Sequence, residues 1–116
     1  MTQPKKKPRL PNLKHFVALC HGNLRASTLL YQVCSWHRYA TAERDGHKWI
    51  VNSRWWWEHE TAMSPDQVKR AFAWLRAEEL IVTEQHLWVE QGEAKNLNWV
   101  RPSGKTIKEL ALDAGG

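Results

Sequence analysis

Between Trp49 and Arg101 the chain ends one helix and caps the next within a few residues, a constraint that few folds satisfy. Ser53 opens a short helix, Arg54-Trp55-Trp56-Trp57-Glu58-His59-Glu60. Ser64-Pro65-Asp66-Gln67 opens a second with a cap, a first-turn proline, an early acid and a glutamine that completes a capping box. A restart this tight forces a sharp angle between the two helices. Beyond them, Leu80-Ile81-Val82-Thr83 and Leu97-Asn98-Trp99-Val100-Arg101 read as strands flanking a polar turn around Gly92 to Asn96. Leu80-Ile81 enters a wing whose arms read as about His86 to Val89 and Leu97 to Arg101, a gap wider than a tight hairpin, so a bulge or bend is expected in the first arm.

Upstream, apolar or small residues recur at Ala26, Leu29, Leu30, Val33, Trp36 or His37, and Ala40, the spacing of one buried helical face running to about Glu43. Asp45-Gly46 then reads as a turn, and His47 to Val51 as a small strand added to the hairpin. Leu13 to Leu19 is a short apolar cover, and Lys105 to Asp113 a short amphipathic helix. On the helix opened by Ser64, Val68, Ala71, Phe72 and Leu75 share one side. Asp66, Gln67, Lys69, Arg70, Ala73, Trp74 and Ala77 lie on or beside the other. Three adjacent helical tryptophans sweep about 200°, so Trp55, Trp56 and Trp57 cannot all face one core; Trp57 is the core candidate. Trp36, Trp49, Trp57 and Trp99 are assigned to packing, which leaves Trp55, Trp56, Trp74 and Trp88 without a task.

With 116 residues the chain has room for one domain, spanning 16–113, behind a flexible basic tail over 1–15. The net charge of +5 sits in that tail: Lys5, Lys6, Lys7, Arg9 and Lys14 face no acid there, whereas the remainder is balanced. Prolines at 4, 8 and 11 keep the tail out of a helix, and basic arms of this kind lie along phosphates or merely solubilise. No apolar run is long enough for a membrane span, and the basic start leads into prolines rather than a signal-peptide core, so a cytoplasmic location is expected. Cys20 and Cys34 are too few for a disulfide framework and read as buried thiols; a metal site with His21 and His37 lacks an anchoring CxxC or HxxxH pair. Phosphate-loop, HExxH and GxSxG motifs are missing, and Glu58-His59-Glu60 point apart on a helix, so neither enzyme chemistry nor a cofactor is expected.

The residues Lys48-Trp49-Ile50-Val51-Asn52-Ser53, Trp57, Met63 to Ala71, Leu75 and Glu79-Leu80-Ile81 together resemble the winged-helix domains of plasmid and phage replication proteins. The chain has Ala62 and Glu79 where that pattern carries glycines. The resemblance covers roughly Leu29 to Arg101. It implies a mostly α fold with a small β-hairpin wing, a winged helix-turn-helix, that binds double-stranded DNA of a mobile genetic element in replication initiation or transcription regulation. On that reading Gln67 pairs with adenine edges and Arg70 with guanine edges. Arg54, Lys69, Lys95 and Arg101 touch the backbone, and Lys5, Lys6, Lys7 and Arg9 follow a groove.

A rival reading is a protein-interaction module anchored by Trp55, Trp56, Trp74 and Trp88. It is motivated by Asp66, Glu78, Glu84, Glu90 and Glu93 on or near the same elements. Either reading admits a homodimer and a replication or transcription protein as partner.

Overall fold

Among the described residues, four of the five helices start on a side chain that accepts a backbone N–H of the first turn: Asn23 from Ala26, Ser53 from Trp56, Ser64 from Gln67 and Ser103 from Thr106. These local caps set the frame of a computed structural model that describes residues 10–112. In chain order the elements are α1 (Leu13–Leu19), α2 (Leu24–His37), β1 (Ala42–Arg44), β2 (His47–Asn52), α3 (Arg54–Thr61), α4 (Pro65–Ala77), β3 (Ile81–Glu90), β4 (Glu93–Pro102) and α5 (Gly104–Glu109). Helix α1 therefore begins inside the stretch expected to be tail.

The expectation of a mostly α winged helix-turn-helix with a small hairpin wing is overturned. The strands form one four-stranded antiparallel sheet, ordered β1-β2-β4-β3, whose two longest members have ten residues each. This is an α+β architecture in which sheet and helices share the core. Two local misreadings account for the difference. Helix α2 stops at His37 instead of continuing to about Glu43, and Ala42 to Arg44 pair with Trp49 to His47 across Asp45-Gly46, both at positive φ. The β3–β4 hairpin has no bulge: it runs residue for residue from Ile81 opposite Pro102 to Glu90 opposite Glu93. Gln91 (φ 51°) and Gly92 (φ 80°) supply the doubly left-handed conformation of a two-residue hairpin turn.

Strand alternation gives the sheet two unlike faces. Ile50 and Val100 stand opposite one another on β2 and β4 and, with Ile81 of β3, join Phe16, Leu29, Leu30, Val33, Trp57, Val68, Phe72 and Leu75 in the helix-covered core. The other face gathers Trp49, Trp88, Trp99, His86 and Arg101 by edge-on ring contacts and a guanidinium stacked over Trp49. Here the sheet curls until its two edge strands meet, with Arg44 of β1 at 3.6 Å from Glu84 of β3. Trp57, Phe72 and Leu75 are buried as their spacing predicts, and of the alternatives Trp36 or His37 on the buried side of α2 it is His37 that is buried, which leaves Trp36, also assigned to packing, 40 % exposed.

Ala62 and Glu79 both adopt the left-handed region, with φ of 57° and 58°, closing α3 and following α4. A side chain there clashes with the following carbonyl at a cost of about 1–2 kcal/mol, part of which glycine returns through its freer unfolded chain. Ala62→Gly and Glu79→Gly should each raise the unfolding free energy in urea by about 0.5–1 kcal/mol; a loss in both would mean that these turns are unstrained.

Buried His37 donates from Nε2 to the Lys48 carbonyl at 2.9 Å. Burial, with Arg101, Lys48 and His47 nearby, lowers its pKa. Neutral His37 is thus favoured in the folded state, and its contribution is complete above the unfolded value of about 6.5. As pH falls below that point the unfolded chain takes up the proton first, so stability should decline between about pH 7 and pH 5. His37→Gln, which keeps a donor without a titrating ring, should flatten that decline in pH-dependent melts.

Candidate functional site

Helix α4 buries Val68, Ala71, Phe72 and Leu75 and turns its remaining positions outward. Lys69 and Arg76 are seven residues apart, two helical turns, and so project on one side. Ser53 caps α3 beside them and places Arg54 at the helix start. Opposite, the helix-facing side of the hairpin carries Gln85, Asn96 and Asn98; Gln85 and Asn98 are direct cross-strand partners whose side chains hydrogen bond at 3.1 Å.

These two walls bound a groove of about 770 Å³ with Phe72 and Val100 as apolar lining. Arg54, Lys69 and Arg76 line it from the helices, and Gln85, Asn96 and Asn98 from the sheet. Arg76 also donates to Thr83 Oγ1 at 3.4 Å, which steadies the guanidinium across the gap. Glu84 borders the groove through its place in β3, but its side chain, opposite Trp99 in register, is on the other face of the sheet. It accepts from His86 at 2.6 Å and lies near Arg44, and those contacts hold its carboxyl below the usual range. Three cations thus face a wall of neutral amides, an arrangement suited to an anion that also offers hydrogen-bonding edges.

The residues expected from sequence are distributed unevenly around this groove. Arg54 and Lys69 are brought together on its wall. Arg70 is highly exposed on the neighbouring side of α4, 3.1 Å from Asp66. Gln67, expected at adenine edges, has its side-chain oxygen occupied by the Ser64 N–H at 3.0 Å in a complete capping box. Lys95 pairs with Trp88 on the far face of the hairpin and lies 3.8 Å from Glu93. Arg101, expected on the backbone of a ligand, is half-buried on that same far face. Its guanidinium sits 5.0 Å above the Trp49 ring, donates to the Pro102 carbonyl, and has its pKa lowered by burial. Lys5, Lys6, Lys7 and Arg9 lie outside the described residues.

The four candidate anchors separate as well. Trp56 is half-buried between Trp36 and Trp57, Trp74 meets His21 edge-on, and Trp88 meets Trp99 edge-on. Trp55 alone of the four stands largely in solvent. Sequence reasoning missed Arg76, Gln85, Asn96 and Asn98. Arg76 could have been found from its seven-residue offset to Lys69, whereas the three amides become neighbours only through the strand register.

Cys20 and Cys34 are both buried free thiols, and burial pushes Cys34 up to about 12. Among the described residues no group of three or more His, Cys, Asp or Glu gathers to hold a metal, and no helix is long and apolar enough to cross a membrane. No protein-family model, curated protein or solved structure matches this chain.

The capping contact assigns Gln67 to folding. Gln67→Ala should lower the unfolding free energy by about 0.5–1 kcal/mol, the scale of one net hydrogen bond at a helix start. Exposed Arg70→Ala should stay within about 0.5 kcal/mol of the parent. Denaturant titration of both variants checks this, and equal stability of the two would return Gln67 to the list of free side chains.

Proposed function

We propose that this protein binds double-stranded DNA through the groove between α4 and the β3–β4 hairpin. The observation that carries the reading is the convergence of Arg54, Lys69 and Arg76, from two helices, on a groove whose opposite wall is Gln85, Asn96 and Asn98. The cations neutralise phosphates, and the amides offer paired donors and acceptors to base edges or sugars. Arg70 extends the same reading onto the outer side of α4. There Ala73 and Ala77 are also exposed and leave little bulk between the helix and a major groove, so Arg70 can exchange its solvent-exposed pairing with Asp66 for a guanine edge. Glu58, 4.0 Å from Arg54, is likewise an exchangeable partner. Replication initiation or transcription regulation in a mobile element, which the resemblance implies, belongs to the same proposal.

A second reading, a protein-interaction module, draws on one cluster. Trp36 (40 % exposed) touches both Tyr39 (56 % exposed) and Trp56 edge-on at the end of α2. An aromatic group of this kind suits a partner surface better than a phosphate track.

Fluorescence anisotropy with a duplex probe at several salt concentrations separates the two. If Lys69 and Arg76 each hold a phosphate, the double variant Lys69→Ala/Arg76→Ala should weaken binding at low salt. It should also reduce the slope of log K against log salt by about 1.8, or about 0.9 per contact. An unchanged slope would remove the groove from the interface, and a chain that binds no duplex at low salt but self-associates in sedimentation, with Trp36→Ala abolishing that association, would favour the partner-binding module.

A further inference from the structure

Trp55 is the most exposed of the tryptophans, with 69 % of its surface accessible, although every other tryptophan of the chain packs at least partly against the body of the protein. Its ring lies nearly parallel to that of His59 one turn along α3, at 13° and 6.0 Å between centroids. The two rings stack on each other, so the aromatic ledge they offer is an outer face of the stacked pair instead of a dry pocket. Arg54 precedes Trp55 and lines the cationic groove, so the ledge begins about 100° around the helix from that groove's wall.

A flat ring pair beside a row of cations matches a flat ring attached to a phosphate. Bases inside a duplex have both faces covered by their neighbours and cannot use the ledge, whereas an unpaired base has a free π-face and stacks without regard to its identity. We infer that Trp55 and His59 stack an unpaired nucleobase of the same nucleic acid whose phosphates the groove holds, which narrows the substrate to duplex DNA with a single-stranded extension or unpaired position. This rests on the duplex-binding reading above. A protein anchor sits in a cleft that excludes water, whereas Trp55 stands largely in solvent in the first turn of α3.

The test uses the full chain and three probes in anisotropy titrations: a blunt duplex, the same duplex with a three-adenine overhang, and one whose overhang is abasic and so keeps the phosphates without the bases. The adenine overhang should bind about 5- to 100-fold more tightly than the abasic one. Trp55→Ala should abolish that preference while leaving blunt-duplex affinity and the melting temperature unchanged, and Trp55→Phe should restore much of it. A 2-aminopurine placed in the overhang should be quenched by the parent protein and not by Trp55→Ala. Equal affinity for the adenine and abasic overhangs, with the blunt duplex still bound, would overturn the ledge and spare the groove. Failure of all three probes to bind at low salt would overturn both. Loss of self-association in Trp55→Ala by sedimentation, with the overhang preference intact, would make the ledge a contact between copies of this chain and overturn the inference.

Discussion

The edge-on contact of Trp57 with Phe72, at 5.7 Å between ring centroids, fixes how α3 meets α4, and the cationic wall depends on that geometry. Both rings are buried, one on each side of a turn that passes through Ala62 in the left-handed region. Burial of two aromatic side chains is among the larger single contributions a domain of this size contains. Because Arg54 and Lys69 stand on the same two helices, any change in this packing moves them relative to one another. The pairing also explains why only one of the three adjacent tryptophans is fully buried. Trp57 claims the core, Trp56 reaches the flank of α2, and Trp55 is left outside.

The sheet divides its labour by face. Toward the helices it is apolar near β2 and becomes amide-rich toward the hairpin, so the strand that completes the core also furnishes the groove's second wall. Away from the helices it carries a separate aromatic cluster in which Arg101 serves as a stacking partner of Trp49. On that face too, Glu84 accepts from His86 and approaches Arg44 on the opposite edge strand, so its carboxylate is held on the side of the sheet away from the cationic groove.

What the sequence reveals of this structure follows the range over which each signal acts. The starts of α3 and α4 are readable because a cap and its acceptor lie three residues apart, and the buried side of α4 because helical spacing is local. Strand β1 is hidden: its three residues continue the apparent spacing of α2, and only pairing with β2 reveals them. The tip of the hairpin reads as a turn as far as Asn96 because Glu93, Lys95 and Asn96 carry no apolar alternation, and because Gln91 lacks the Asn or Asp signal of a left-handed turn. Arg54 and Lys69 are legible as cations near a helix start, whereas the three amides are assembled by register. Gln67 illustrates a conflict visible beforehand, since a side-chain oxygen that completes a capping box is not free to read an adenine.

The two thiols have a consequence for how the core can be observed in solution. Cys34 is sealed within the cluster and its thiol is held almost entirely protonated at neutral pH. Because a thiolate is the species that alkylates, Cys34 is silent toward an electrophile until the helices part and it regains an ordinary acidity. Its labelling rate therefore counts openings of the α2 region, in the manner of amide exchange but at a single known atom. Cys20, buried at the end of α1, offers a second such clock in another part of the core. A difference between the two rates would distinguish peeling of the first helix from unfolding of the whole.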